Sequence, residues 1–300
     1  MSIDLSSKTP EISVIIPHFN QPEALNACLA SVAAQTFGLS RMEIIVADNN
    51  SPGDLTALKK AYPSVKFINA AERGAAPARN AGMKAARGGV FAFIDADCVA
   101  DRRWLENGVA ALSACDLSGG AVTVTAKDAS ARTPVESFER IFAFNQRRYI
   151  NRKYFSVTAN LIVSRKVALA VGLFRNGVSE DVDWCRRARA LGFRLAFNDT
   201  SIISHPARRS WEDLTVKWDR LIKERWNGFG GRNLARRLIW AGLAIATALS
   251  AAPHMTVILF SRRVNKAQDK IAAAGVLARI RLWRAWRMLA LLQSATSSGR

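Results

Sequence analysis

VFAFIDADC, residues 90–98, decides the fold. Val90 through Ile94 are uniformly apolar, as in a strand covered on both faces, and Asp95 and Asp97 follow at once. Upstream, the same kind of run recurs three times: ISVIIP (12–17), EIIVAD (43–48) and VKFI (65–68). Helical patterns separate them. Residues 22–35 place Ala24, Leu25, Cys28, Leu29 and Val32 at helical spacing, with Pro22 tolerated in the first turn. A second helix is predicted from Asp54 and a third, rich in small residues, over 75–87. Strands alternating with helices at this spacing imply right-handed βαβ units, so the chain is predicted to be α/β with a largely parallel sheet flanked by helices. Ligands collect at the carboxyl ends of such strands, where Asp48 and Asp95 fall.

Downstream the rhythm loosens. Asp101 reads as the N-cap of a helix reaching about Ser113, followed by a strand at 119–125. A basic, aromatic helix is predicted over 134–151, a strand over 157–163, a helix over 181–191 and a strand at FRLAF (193–197), then the short apolar run Ile202-Ile203. Residues 210–226 put Trp211, Leu214, Trp218, Leu221 and Ile222 on one helical side, and Gly228, Gly230 and Gly231 are expected to break that helix.

The 300 residues suffice for one domain with an appendage, and a hydrophobic content of 49% excludes a disordered chain. The net charge of +19 is concentrated late: residues 206–300 carry 18 Lys+Arg against 5 Asp+Glu. Cys28, Cys98, Cys115 and Cys185 show no paired spacing, which fits a reducing cytoplasm, and the polar first ten residues have no signal-peptide character.

An Asp-X-Asp triplet at a strand end is a set of hard oxygen donors suited to Mn2+ or Mg2+ and, through the ion, to a diphosphate. Such an ion would stabilise a departing nucleoside diphosphate. The remaining need is a base for an acceptor hydroxyl, and Ser179-Glu180-Asp181-Val182-Asp183 supplies carboxylates at a helix start.

Taken in order, ISVIIPHFN, IIVADNNS, ERGAAPARNAG, FIDADC and SEDVDWCRRARALGFRL resemble the family 2 inverting glycosyltransferases of the GT-A fold over residues 12–205. The resemblance implies a nucleotide-diphospho-sugar transferase fold and a role for each matching residue. Pro17 and Phe19 would line the nucleotide pocket, Asp48 would contact a uracil-type base, and Arg79 and Asn80 would lie beside the donor. Asp95 would contact the ribose or sugar, and Asp97 would ligate the metal with His205 completing the site. Asp181 would be the general base, with Glu180 its neighbour at the acceptor. His18 reads as pocket wall, and Arg73 and Arg79 as possible neutralisers of donor phosphate. Asp48-Asn49-Asn50-Ser51 departs from the family's Asp-Asp-Gly-Ser. The Gln-x-x-Arg-Trp motif of processive synthases is not recognisable, which points to one transfer per binding event.

Leu238–Phe260 contains no Asp, Glu, Lys or Arg over 23 residues, long enough to cross a membrane. Arg232, Arg236 and Arg237 precede it, and Arg262, Arg263 and Lys266 follow, so both flanks belong in the cytoplasm. Pro253 is expected to divide the run into a re-entrant or in-plane hairpin. On 276–292, Arg281, Arg284 and Arg287 fall on one helical side with Leu282, Trp286 and Leu289 opposite, suiting an anionic lipid surface. The expected organisation is a catalytic domain at 1–231 and a basic, apolar, membrane-associating helical tail at 232–300. Attachment would be monotopic, at the cytoplasmic face of the cell membrane, with a glycan or lipid-linked acceptor and a role in cell-surface polysaccharide synthesis. A nucleic-acid-binding protein is disfavoured, because binding nucleic acid does not require an uncharged run between the basic flanks. A sugar nucleotidyltransferase is disfavoured because Pro17-His18-Phe19-Asn20 after the first strand contains no glycine.

Overall fold

The computed structural model describes residues 9–128, 130–230 and 233–297; Gly231 and the flanking Arg232 lie outside them. The chain divides into two compact units. One holds the chain up to Thr123, Phe144–Asn176 and Glu180–His205; the other holds Val124–Ala143, Gly177–Ser179 and the chain from Pro206.

The first unit begins with β1 (Ile12–His18), α1 (Pro22–Ala33), β2 (Met42–Asp48), α2 (Thr56–Ala61), β3 (Val65–Asn69), α3 (Ala75–Ala85) and β4 (Val90–Phe93). The strand β1 pairs in parallel with both β2 and β4, and β2 with β3. The strand β1 is apolar on both sides because both are covered. Ile12, Val14 and Ile16 pack with Leu25, Cys28, Leu29 and Val32 of α1, while Ile15 meets Ala76 and Met83 of α3. The chain thus goes out over one face to β2 and β3 and returns over the other to β4. That leaves a switch point between the carboxyl ends of β1 and β4, where His18 and, just past β4, Asp95 and Asp97 emerge.

The rest of the sheet comes from β5 (Val99–Ala100), β6 (Leu117–Thr125), β7 (Leu161–Ser164) and β8 (Leu195–Pro206). The full order is β3-β2-β1-β4-β7-β6-β8-β5. Pairing turns antiparallel from β4–β7 onward, through β6–β7 and β5–β8, so the sheet is mixed, and parallel only where strands and helices alternate strictly. The two apolar runs at 193–197 and 202–203 prove to be one strand, β8, carrying the polar stretch Asn198–Ser201 in its middle.

Helix α4 (Trp104–Ala110) starts later than expected. Asp101 accepts from the Arg103 and Trp104 backbone amides, through its carboxylate and its carbonyl respectively, forming a turn before the helix and not its N-cap. The long helix expected over 134–151 is broken: α5 (Pro134–Phe142) ends at an extended Ala143, Phe144 takes φ 51°, and α6 (Gln146–Arg148) resumes, capped by Asn145. No glycine or proline marks this break. Two further helices, α7 (Arg165–Val171) and α8 (Glu180–Ala190), complete the unit.

The second unit is helical. A reciprocal capping box opens α5, with the Thr133 hydroxyl accepting from the Glu136 amide and the Glu136 carboxylate from the Thr133 amide. Helix α9 (Trp211–Phe229) runs straight through Gly228 and stops at Gly230, which adopts the left-handed conformation at φ 63°. Then come α10 (Leu234–Leu249), α11 (Ala251–Leu259) and α12 (Ala267–Ser297). Pro253 does not form a hairpin apex. Only Ser250 separates α10 from α11, and it stays near helical geometry at φ −64°, ψ −8°. Pro253 sits in the first turn of α11, where its missing N–H is not needed. The reversal lies instead at 260–266. The Trp240 indole donates to the Met288 carbonyl and Arg237 to that of Leu292, whereas at the other end Lys270 donates to the Leu259 carbonyl and Ile258 packs near Ala273 and Leu277. The arms 234–259 and 267–297 are therefore antiparallel. Helix α9 packs with them through Leu214 and Ile222, although the expected boundary at 231 would assign it to the catalytic side.

One buried amide fixes the far half of the first unit. Asn160 accepts from the Trp104 indole (2.8 Å) and donates to the carbonyls of Ala121 (2.8 Å) and Ser201 (3.0 Å), tying α4 to β6 and β8. Gly120 makes room: a Cβ there would lie 2.3 Å from the Ser201 carbonyl oxygen. Asn160→Leu strands one donor and two acceptors out of water, so the chain should lose about 3 kcal/mol of stability. Urea unfolding should show a lower midpoint with an unchanged slope.

Candidate active site

Asp48 ends β2 and is already well supplied with donors. Its carboxylate accepts from the Ser51 hydroxyl (2.5 Å), the Ser51 amide (3.1 Å) and His18 Nδ1 (2.8 Å). Burial opposes its ionisation, but the Ser51 hydroxyl and His18 outweigh that and hold the carboxyl below its ordinary range. The other ring nitrogen of His18 accepts from the Gln21 amide, so Nδ1 carries the proton it shares with Asp48. His18, read from the sequence as pocket wall, is thus buried and serves as a partner of Asp48. Pro17 is half-buried beside it, and Phe19 stands 49% exposed.

Asn49 explains the departure from the family's acidic pair. Its Nδ2 donates to the carbonyls of Ala70 (3.0 Å) and Glu72 (2.6 Å), and its Oδ1 accepts from the Gly74 amide (2.7 Å). A carboxylate could accept but could not donate, so an amide is needed to hold this loop ahead of α3.

From α3, Arg79 points into the protein and is 3% exposed. Nη2 reaches Asp95 Oδ1 at 2.6 Å and Nη1 reaches Glu180 Oε1 at 2.9 Å. Burial works against its charge, and Asp95, Glu180 and, at longer range, Asp181 outweigh it and strengthen its hold on the proton. The guanidinium is thus already committed to carboxylates, which leaves Arg73 as the freer of the two arginines considered for donor phosphate. Asn80 is committed too: its amide donates to the Phe174 carbonyl and accepts from the Phe174 N–H, both at 2.8 Å. It clamps the segment ahead of α8.

Asp97 meets His205 from the end of β8, with Oδ2 and Nε2 3.3 Å apart. Cys98 Sγ lies 3.7 Å from Asp97 Oδ1, and the ligand atoms of Asp97, Cys98 and His205 all fall within 4.8 Å of one another. One small cation would fit such a set. Burial, then Asp95 and Asp97, push the Cys98 thiol well up, so Asp97 and His205 are the donors that require no thiol deprotonation. His205 is buried, and the Phe144 ring lies 4.6 Å from its own. The positive φ of Phe144 that breaks the predicted helix is what delivers this ring.

The first unit therefore carries Asp48, Arg79, Asp95, Asp97, Glu180, Asp181 and His205 on five separate stretches of chain. Glu180 and Asp181 lie in the first turn of α8, where the helix dipole favours negative charge, and the Asp181 carboxylate also accepts from the Val182 N–H. Sequence reading missed the His18–Asp48 pair, the Asn49 clamp and the Phe144–His205 contact. Only the first had a usable signal, since His18 and Asp48 end adjacent strands in register.

The sequence profile described as Glycosyl transferase family 2 matches residues 13–171. The glycosyltransferase AglE of Haloferax volcanii is 33% identical over 213 residues, covering 68% of this chain and 69% of that protein. Among solved structures, the mannosyltransferase PcManGT of Pyrobaculum calidifontis, in complex with GDP-Man and Mn2+, matches 95% of this chain and 86% of its own, with TM-score 0.58 at 16% identity. GalNAc-T7 with UDP, GalNAc and Mn2+ matches 72% of this chain and 48% of its own, with TM-score 0.53 at 19% identity. Those two likenesses show the fold, while the profile and the archaeal relative show the family: the chain is a glycosyltransferase and belongs to glycosyl transferase family 2, on a GT-A fold.

Proposed function

We propose that this enzyme is an inverting, metal-dependent transferase that moves a sugar from a UDP-sugar to a hydroxyl of a glycan or lipid-linked acceptor at a membrane surface, in cell-surface polysaccharide synthesis. The observation that carries the reading is the grouping of Asp95, Glu180 and Asp181 about the buried Arg79, with Asp97 and His205 held as a pair in the same unit.

Asp48, kept ionised by Ser51 and His18, accepts from an imide N–H of the base, which Phe19 and Pro17 flank. Asp95 turns one carboxylate oxygen to Arg79 and leaves the other for a ribose or sugar hydroxyl. Asp97 and His205 would hold Mn2+ or Mg2+, whose charge, when bound, neutralises the diphosphate leaving group. Asp181 takes the proton from the acceptor hydroxyl as that oxygen attacks the anomeric carbon from the face opposite the leaving group, which inverts the configuration. Glu180, ion-paired to Arg79, fixes the first turn of α8 and so the position of Asp181. Both structural neighbours are complexes of a nucleotide or nucleotide sugar with Mn2+, which supports the cation and the donor class.

For location we propose the cytoplasmic face of the cell membrane with monotopic attachment, the sheet unit acting as catalytic domain and the helical unit as the membrane-facing part. Among the described residues one stretch, Leu234–Leu259, is long and apolar enough to cross a membrane, and only 11% of its most apolar window is buried. Leu238, Ile239, Ile245, Leu249, Leu259 and Phe260 stay exposed on that arm, as do Ile271, Leu282, Trp286 and Leu289 on α12. Apolar exposure of this kind on a helical hairpin suits the boundary between headgroups and acyl chains.

Three outcomes test these proposals. Nucleoside diphosphate release from a panel of nucleotide sugars, with membrane extract as acceptor, should be fastest with a UDP-sugar and should vanish with EDTA or in Asp97→Ala; turnover that survives both would remove the ion from the mechanism. Asp181→Asn should slow transfer by roughly 10²–10⁴-fold, the usual contribution of a general base, with donor affinity little changed. Loss of donor affinity with normal turnover at saturation would deny Asp181 that role. In membrane fractions the full chain should resist extraction by high salt and yield to detergent, because apolar burial is almost independent of ionic strength. Release by salt alone would mean that the exposed apolar arm is not inserted.

A further inference from the structure

The helical unit pairs its inward-facing cations with carboxylates almost throughout: Arg132 with Asp269, Arg208 and Lys217 with Glu139, Arg287 with Asp219. Arg281 and Arg284, with the exposed Arg225 near them, depart from that rule. Among the described residues no carboxylate approaches any of them. The Arg284 guanidinium lies 3.6 Å from the centre of the Trp218 ring, and its Nε and the Trp218 indole N–H are both buried without an acceptor. Arg225 stands two turns beyond Trp218 along α9, with its guanidinium 5.9 Å from the Trp240 ring. Arg281 precedes Arg284 by three residues on α12, so the two are neighbours on that helix. Burial pushes the Arg284 guanidinium down, and repulsion from Arg281 and Arg225 adds to it.

Desolvated like charges gathered without a counterion are costly, and cation–π contact with one indole offsets only part of that cost. What the cluster lacks is an anion with several acceptor oxygens, and phosphate is the group that guanidinium forks match best. The same helix carries Leu282, Trp286 and Leu289 exposed to solvent, which suits an anion that arrives attached to acyl chains. We propose that Arg225 and Arg281, gathered about Arg284 where it stacks on Trp218, form with it a discrete receptor for the phosphate group of a membrane lipid. This rests on the membrane-surface reading above and deepens it, turning a diffuse attraction between a basic tail and an anionic surface into a site that recognises a headgroup.

The full-length protein is floated with neutral phosphatidylcholine vesicles doped either with phosphatidic acid or with oleate, the two sets matched in surface potential. A receptor binds the phosphatidic acid vesicles about tenfold more tightly and keeps that preference at raised salt. Arg281→Gln with Arg284→Gln should weaken binding to phosphatidic acid by about thirtyfold, the worth of two basic residues at a surface, and binding to oleate vesicles by clearly less, so that the preference is lost. Arg225→Gln, at an exposed position, should lose part of the preference with an unchanged melting temperature, which separates recognition from any folding defect of the double variant. Equal binding of the unaltered protein to the two vesicle sets overturns the receptor while leaving membrane attachment standing; no binding to either overturns both. Inorganic phosphate at millimolar concentration should not abolish the preference. If it does, the ligand is a free anion and the lipid assignment fails. Stronger retention on single-stranded RNA than on phosphatidic acid vesicles would likewise overturn it.

Discussion

A single buried guanidinium organises the catalytic face of the sheet unit. Arg79 comes from α3, the helix that carries the chain back across the sheet to β4, and its two terminal nitrogens hold carboxylates on elements far apart in sequence, Asp95 beyond β4 and Glu180 at the start of α8. Three acidic groups, Asp95, Glu180 and Asp181, could not be packed this closely without it, because mutual repulsion would protonate one or push the elements apart. The arrangement also explains why the residue is arginine. Lysine offers a single charged nitrogen, whereas the planar fork serves two partners along fixed directions and so sets the spacing between the end of β4 and the helix that bears Glu180 and Asp181. Under the proposed roles, the donor side at Asp95 and the acceptor side at Asp181 are thereby coupled through one rigid side chain.

Backbone clamps made by side-chain amides complete the same framework. Asn49 holds the 70–74 loop, Asn80 holds Phe174 and Asn160 ties α4 to two strands, each using both the donor and the acceptor ends of its amide. These contacts leave loops fixed without regular secondary structure of their own, which an active site at a sheet edge requires. They also leave the charged groups less encumbered. Where an amide carries the structural work, the neighbouring Asp48 carboxylate is left to its own donors, Ser51 and His18.

Most of the sheet unit was legible in the sequence because its physics is local. Uniformly apolar runs mark strands covered on both faces, and the helical spacing of Leu25, Cys28, Leu29 and Val32 marks the helix that covers one of them. Chain order then fixes the parallel half. What could not be read depends on tertiary contact. Nothing in residues 134–151 announces a break, since Phe144 takes a positive φ where its ring meets that of His205, a residue far away in sequence. Strand direction beyond β4 was equally hidden, because alternation within a strand carries no sign of its polarity. In the tail, Pro253 marks no chain reversal, because a proline in the first turn of a new helix needs only a one-residue interruption before it. The reversal is marked instead by the polar segment after Phe260, where Ser261, Arg262 and Arg263 end the apolar arm.

The helical unit shows how the same composition can be arranged in an unexpected sense. A helix with arginines on one side and leucines and tryptophan on the other would, in a soluble protein, bury the apolar side. Helix α12 buries Ala273, Leu277, Ile280 and Met288, yet part of it is inverted: Arg284 stacks on Trp218, Arg287 pairs with Asp219, and Leu282 and Trp286 face outward, each about 60% exposed. The inversion is favourable only if something less polar than water meets the outward side. Otherwise the chain would lose the hydrophobic term on one face while desolvating charge on the other. Guanidinium groups suit the inner side, since their stems and planar faces pack on indole rings while their edges still donate, which an ammonium group cannot do as well. The tail is thus not a basic peptide with an apolar insert. It is a packed helical unit, and its amphipathicity makes physical sense when it rests against a lipid surface.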